Sequence, residues 1–352
     1  MGDSTVVPGK VSVFQGFEIG RLCNIIKGIS KVRIGFIGDI CLDVYWKADM
    51  TRSEISRETP HFPLPVIEER MSPGAGANAA ANAAELKPES IDFLGIIGKD
   101  WRGSAVVEEL KKRGVKTNGI ICSEKRITNA YCKPVRQGIS QVEYEDPRID
   151  FENYELVDRE DENKLIDSLA AHVGNLDVLC VCDQFRYGCI TDRVREEIIK
   201  LAKEGLRIVI DSRDRIELYT DVVLKPNEVE GCRAVYKDWD PKKVNFEQQL
   251  EAAKLLSKKN RSGVCMTLGS KGCVYTEGTN VIHIPSHEIP PPVDICGAGD
   301  TFIAAFSCAL VSGAEPPEAA FFANLAAQVT VAKIGTTGTA NPEEIKKRYL
   351  CL

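Results

Sequence analysis

From residue 31 onward the chain alternates short, continuously apolar runs with stretches patterned as helices. KVRIGFIG (31–38), IDFLGIIG (91–98), LDVLCVCD (176–183), LRIVID (206–211) and GVCMTLG (263–269) lack polar alternation, so each predicts a strand covered on both faces. Helical patterns separate or follow them: SAVVEELKKRG, DRVREEIIKLAKEG, residues 246–259, and two Ala-rich stretches at 298–312 and 317–333. That alternation predicts an α/β fold, a mostly parallel central sheet with helices on both faces. At 352 residues the chain can bury a large core without disulfide or metal staples. We expect one domain over residues 31–352, preceded by an extension at 1–30 whose segment FEIGRLCNIIKGIS forms a short amphipathic helix.

Two segments break the rhythm. Residues 43–70 contain the polar, proline-bearing stretch SEISRETPHFPLPVIEER, and residues 127–146 (ITNAYCKPVRQGISQVEYED) read as two β-runs around a glycine-containing turn. A small antiparallel sheet projecting from the main layer accommodates both. Since α/β sheets bind ligands at the carboxyl ends of their strands, such a sheet would serve as a lid.

Charge and composition narrow the class of partner. With 51 acidic and 45 basic side chains, a net charge of −6 and no long basic block, the chain is unsuited to nucleic acid or an anionic membrane surface. No apolar run approaches the ~18–20 residues of a membrane span, and MGDSTVVPGK lacks a signal-peptide core, so a cytoplasmic location is expected. The 13 cysteines are scattered, odd in number and without a CxxC, which predicts reduced, mostly buried thiols, Cys296 among them as a small packing residue. His283 and His287 flank Pro285, so they cannot share a helix face as zinc ligands. The unpaired edges of a lid sheet favour a homodimer.

Four clusters carry possible chemistry. Asp294-Ile295-Cys296-Gly297-Ala298-Gly299-Asp300 leads directly into a helical stretch, where glycines and a helix N-terminus suit an anion and Asp300 could take a proton from a hydroxyl. The alternative is an ordinary glycine turn with a favourable first-turn charge. In Lys225-Pro226-Asn227-Glu228-Val229-Glu230, Asn227 and Glu230 lie three apart, placed either to organise Mg²⁺ or to form a helix capping box. Thr267-Leu268-Gly269-Ser270-Lys271-Gly272 joins two strands and could border nucleotide phosphates, although it is not a P-loop. Asp39, Asp43, Gly74, Gly76 and Asn78 suit a hydroxyl-rich ligand or simple turns.

Taken in this order, these motifs resemble the ribokinase-like (PfkB) carbohydrate kinase family, the likeness running from about residue 31 to 340. The resemblance implies a ribokinase-like fold with a β-sheet lid and ATP-dependent phosphoryl transfer to a sugar hydroxyl. By it, Asp300 is the base, the amides of Gly297, Ala298 and Gly299 are the anion hole, and Asn227 and Glu230 organise Mg²⁺. Thr267, Gly269, Ser270, Lys271 and Gly272 would line the nucleotide phosphates. Asn324, Lys333 and Gly335 would lie near the adenine or a monovalent-cation (K⁺) site. Asp39, Asp43, Gly74, Gly76 and Asn78 would face the sugar.

Within the family the chain is most similar to bacterial heptose 7-phosphate kinases, through GDICLDVYW (38–46), SEISRETPHFPLPV (53–66), the segment from Arg126, and IDSRDRIELYTDVVLKPNEVE (210–230). That likeness makes Arg126, Lys133, Arg186 and Arg213 candidates to contact a phosphate already on the acceptor. Three features depart from the subgroup: Gly74-Ala75-Gly76 replaces adjacent glycines, residues 182–188 follow the pattern loosely, and Arg213 stands where a lysine is expected. No nucleotidyltransferase domain is expected after NPEEIKKRYL. A kinase for a neutral sugar or nucleoside, or a non-catalytic sugar or nucleotide sensor, are the competing readings.

Overall fold

A computed structural model describes residues 11–140, 142–237, 239–240, 244–335 and 337–352. The chain begins with β1 (Val11–Val13), α1 (Ile19–Ile29), β2 (Arg33–Gly38), β3 (Ile40–Asp49), β4 (Val66–Ala75), α2 (Gly76–Glu85), β5 (Ser90–Gly98) and α3 (Trp101–Lys112). It continues through β6 (Lys116–Ser123), β7 (Asn129–Gln137), β8 (Glu143–Glu145), β9 (Ile149–Phe151), α4 (Arg159–His172), β10 (Val178–Asp183), α5 (Asp192–Lys203) and β11 (Arg207–Ser212). The last part comprises β12 (Val223–Leu224), α6 (Glu228–Val235), α7 (Phe246–Asn260), β13 (Val264–Thr267), β14 (Cys273–Glu277), β15 (Asn280–Ile284), α8 (Ala298–Val311), α9 (Pro316–Val331) and α10 (Pro342–Tyr349).

The main sheet has the order β1-β15-β14-β13-β12-β11-β10-β2-β5-β6. It is parallel from β6 through β13, then antiparallel through the β13-β14-β15 meander. The strict alternation of a strand sends neighbouring residues to opposite faces. Val178, Cys180 and Cys182 of β10 join Phe36 and helices α1, α2, α8 and α9 in one core, while Leu179 and Val181 join Ile37 and helices α4, α5 and α7 in another. Two cores, one on each face, are what runs without polar alternation require. Chain order reverses between β2 and β10, so their carboxyl ends open a crevice at a topological switch point.

The second sheet has the order β4-β3-β7-β8, with β9 also on β7. The expected antiparallel lid is corrected here, because β3 and β7 pair in parallel over nine positions from Cys41–Asn129 to Asp49–Gln137. The cause lies in the main sheet: β3 continues β2 and β7 follows β6, and both leave the carboxyl edge of a parallel layer in the same direction. The strands also reach beyond the expected limits 43–70 and 127–146, with β4 ending at Ala75 and β9 at Phe151.

Residues 11–30, the described part of the expected extension, pack onto the domain, with the expected short helix present as α1. β1 adds to β15 as an edge of the main sheet, and Leu22, Ile25 and Ile29 of α1 are buried in the core beneath α8. Arg21 ties the helix to α9 by donating from Nε to Glu318 at 2.8 Å. Residues 1–10 of that segment lie outside the described residues.

Candidate active site

Gly297 caps α8 with φ +79°, a left-handed conformation that L side chains rarely adopt and that turns the chain sharply into the helix. Ala298 N–H is engaged by Ile295 O at 3.2 Å, so it is not free for an anion as expected. The amides of Gly299 and Asp300 follow in the first turn, where N–H groups have no partner within the helix. A Cβ on Gly299 would stand 3.6 Å from Lys225 Nζ, which places an ammonium beside this turn. Lys225 Nζ pairs with Asp211 at 3.0 Å, both groups buried. Burial lowers the Lys225 pKa, but Asp211, Glu230 and Asp300 outweigh it and raise it above the ordinary lysine value.

Asp300 lies in the same turn with its Oδ2 accepting from Asn78 Nδ2 at 2.6 Å. Burial pushes its pKa up to about 7; Asp211 and Asp43 add to the rise, and Asn78 and Lys225 oppose it. A carboxylate poised there can hold or release a proton near neutrality. Asn78, expected to face a sugar, therefore orients the Asp300 carboxylate. Behind it, Asn82 Nδ2 donates to Asn78 O at 2.9 Å, and Thr301 Oγ1 donates to Asn82 Oδ1 at 2.6 Å, locking α2 against α8. Asn82 was missed in the sequence, although two asparagines four apart in GANAAANAAE share a face of an otherwise alanine-rich helix.

Above this turn the lid presents one face. Because its strands are in register, Ser72, Asp43 and Tyr131 form one cross-strand row and Arg70, Tyr45 and Lys133 form the next. Leu42, Val44, Ala130 and Cys132 point the other way, into the core with Val106 and Leu110 of α3. Lys133 Nζ lies 3.4 Å from Asp43 Oδ1 and donates to Tyr45 Oη at 3.0 Å. Burial raises the Asp43 pKa, and Lys133, Arg148 and Arg70 pull against it. Of these cations Arg148 is itself paired with Asp150, through Nε at 2.6 Å and Nη2 at 2.7 Å. Gly74 leaves room for Asp43, since a Cβ there would sit 3.0 Å from Oδ2, and a Cβ on Gly76 would meet Cys182 at 2.8 Å. Ala75, between them, takes φ +51° at the start of α2.

Asp39 and Arg126 hold a loop rather than present free charge. Asp39 accepts from the amides of Gln184, Phe185 and Cys189 at 2.8, 2.7 and 2.7 Å, while burial and Asp183 raise its pKa to about 6. Only glycine fits at 188, where a Cβ would lie 2.2 Å from Asp39 Oδ1. Arg126 donates to Glu155 O at 3.0 Å and to Tyr187 O. Arg215, also missed, pairs with the buried Asp183 and donates to Phe185 O at 2.9 Å and Arg186 O at 3.2 Å. Arg186 and Arg213 are exposed at the rim of this loop. The signal for Asp183, Asp211 and Lys225 was present: each charge terminates an apolar strand at the carboxyl edge of the sheet.

Asn227 and Glu230 form a capping box, each accepting from the other's backbone at 2.8 Å. The box does not exhaust Glu230, which lies within electrostatic reach of Asp211 and Lys225; burial and Asp211 raise its pKa against the pull of Lys225. Among the described residues no three His, Cys, Asp or Glu side chains converge on one point. Mg²⁺ needs only one or two carboxylates beside phosphate oxygens and water, so this donor set fits it.

Farther along the crevice, residues 267–272 turn between β13 and β14, with Ser270 and Lys271 exposed and Gly269 and Gly272 at φ +57° and +89°. Asn324 is buried and donates to Ile284 O at 3.2 Å. Lys333 is tied to Thr339 O at 2.6 Å and to Glu344 at 2.8 Å, and Gly335 N donates to Asp294 at 3.2 Å. All 13 cysteines are free and nine are buried; Cys296 is exposed in the turn before α8, not the packing residue expected, because that turn lies at the open crevice.

The pfkB family carbohydrate kinase profile matches residues 68–344. The bifunctional protein HldE of Gluconobacter oxydans is 30% identical over 326 residues, covering 90% of this chain and 64% of that protein. The chain thus spans just under two-thirds of that relative's length. Arabidopsis thaliana ribokinase complexed with ribose and ATP superposes with a TM-score of 0.67 at 24% identity, over 90% of this chain and 98% of the other. Escherichia coli phosphofructokinase-2 in complex with substrates and products gives a TM-score of 0.71 at 18% identity, over 91% and 99%. Those two likenesses establish the ribokinase-like fold, and no described helix is long and apolar enough to cross a membrane. With the family profile covering most of a chain that places Asp300 at a glycine-capped helix end under a β-sheet lid, the protein belongs to the pfkB family of carbohydrate kinases.

Proposed function

We propose that this sugar kinase transfers the γ-phosphoryl group of ATP to a hydroxyl of a phosphorylated sugar of the heptose 7-phosphate type. The observation that carries the reaction is Asp300, hydrogen-bonded by Asn78 at 2.6 Å in the first turn of α8 and flanked by Lys225. Asp300 takes the proton of the acceptor hydroxyl as that oxygen bonds to the γ-phosphorus and the bond to the bridging oxygen of ADP breaks. The amides of Gly299 and Asp300 and the ammonium of Lys225 stabilise the charge on the transferring group. Mg²⁺, when bound, supplies phosphate charge neutralisation, and Glu230 and Asp211 are the carboxylates available to hold it, directly or through water. Residues 267–272 border the nucleotide. The lid excludes water, so that the sugar oxygen attacks in preference to a water molecule.

The choice of an anionic acceptor is supported by Lys133 beside Asp43, by Arg70 and the Asp150-paired Arg148 on the same lid face, and by Arg186 and Arg213, exposed at the rim of the loop that Asp39 holds. Arg126 acts through the loop it holds. The test is product formation from ATP and Mg²⁺ across neutral sugars, sugar phosphates and nucleosides, heptose 7-phosphate included. Transfer confined to phosphorylated sugars is the expected result. Preferential transfer to a neutral sugar or nucleoside would overturn the choice of acceptor, and nucleotide binding without transfer to any acceptor would favour the sensor.

A further inference from the structure

Arg70 connects the inner face of the lid to the turn before α8. Arg70 lies on β4 directly across from Tyr45 of β3, with its guanidinium 4.0 Å from the centre of the tyrosine ring. On the other side of Tyr45, Lys133 of β7 donates to the phenol oxygen at 3.0 Å and lies 3.4 Å from Asp43. Arg70 then reaches out of the lid, donating from Nη2 to Gly335 O at 3.1 Å. The amide of Gly335 donates to Asp294 Oδ2 at 3.2 Å, and Asp294 Oδ1 accepts from Cys296 N at 3.0 Å, one residue before Gly297. A second tie runs alongside: Ser72 of β4 lies 3.4 Å from Thr337 Oγ1, and a Cβ on Gly297 would meet Thr337 at 3.2 Å.

We propose that Arg70 is a positioning residue that sets the turn at residues 294–299 according to where the lid lies. The inference rests on the kinase reading above. Its physical basis is that Gly297 adopts a left-handed backbone with no side chain to brace it: α8 holds the far side of the turn through Thr301 N to Gly297 O at 2.9 Å, and the contact of Gly335 with Asp294 helps to place the near side. Gly335 is in turn held from the lid by Arg70, while the Asp294 amide donates to Val331 O of α9 at 2.9 Å. A planar guanidinium suits this role because it can stack on Tyr45 and donate to a carbonyl in one geometry. When the lid carries an acceptor beside Asp43 and Lys133, Tyr45 and Arg70 pass that placement to the amides that receive the transferring phosphoryl group.

The experiment uses the full chain with Arg70→Gln, Arg70→Lys and Tyr45→Leu, and reads two quantities. One is steady-state transfer to whichever acceptor the wild type uses. The other is the rate at which a soluble thiol reagent labels Cys296, resolved by peptide mass spectrometry with the exposed Cys23, Cys122 and Cys351 as internal references. For Arg70→Gln we expect kcat to fall about tenfold or more with KM for ATP within about twofold, since a small misplacement of a reacting group is costly. Labelling of Cys296 rises several-fold while the references hold. Arg70→Lys recovers part of both, because an ammonium can still donate to Gly335 O; Tyr45→Leu shifts both in the direction of Arg70→Gln and supplies the test should that variant not fold.

An unchanged kcat, a loss confined to KM for the acceptor, or Cys296 labelling that does not change would overturn the proposal. The labelling arm needs no acceptor. Should the wild type transfer phosphate to nothing, the kinase reading fails while the link between lid and turn is still decided.

Discussion

Asp300 is held in tension between two environments. Burial favours its neutral acid, whereas the Asn78 amide and the Lys225 ammonium favour the carboxylate, and the outcome is a pKa of about 7. A general base works only when unprotonated, so the balance predicts that kcat/KM falls as pH drops through about 7 and levels off above it. Removing Asn78 removes a donor that stabilises the charged form. We therefore expect Asn78→Ala to move that acid limb to higher pH in a pH–rate profile, and a limb that stays in place or moves down would show that Asn78 does not tune the base. The same scale explains why Lys225 is easy to overlook. In sequence it is a lysine at the end of the apolar run DVVL; that position marks the strand's carboxyl edge, but its pairing with the buried Asp211, fourteen residues away, is visible only in the structure.

Among the elements, α1 shows how packing ties a segment before the first strand of the α/β rhythm to the domain. Its apolar positions Leu22, Ile25 and Ile29 follow helical spacing and are buried in the core that α8 also enters, so the helix belongs to the wall behind the catalytic turn. Leu22→Ala should cost about 2–5 kcal/mol in a denaturant titration, the price of a buried leucine in a rigid setting. A change below about 0.5 kcal/mol would return residues 11–30 to the status of an appendage. The lid illustrates the opposite limit. Its segments were legible as interruptions of the α/β rhythm, but the parallel pairing of β3 with β7 was not, because pairing direction depends on where β2 and β6 end in the main sheet. Alternation along a strand identifies a face, not a partner.

At the level of the whole molecule, the α/β class, the two covered faces and the crevice at the strand ends all follow from uninterrupted apolar runs separated by helices. The glycine turn and Asp300 were legible because they are contiguous. The network around them was not, since it joins residues far apart in the chain: Asn78 to Asp300, Asn82 to Thr301, Asp183 to Arg215 and Arg70 to Gly335. Several expected ligand residues also make internal ties that the sequence did not display, among them Asp39, Arg126 and Lys333. A charged side chain near a strand end signals a site without telling whether it touches the ligand or holds what does.

The most direct test of the account is product-resolved phosphoryl transfer by wild type and Asp300→Asn, measured alongside nucleotide binding and thermal unfolding. The account predicts a variant that folds and binds nucleotide like the wild type while turnover drops by about 10²–10⁴. Turnover within a few-fold of wild type in a correctly folded Asp300→Asn protein would contradict the assignment of the base, and with it the mechanism built on the turn at residues 297–300.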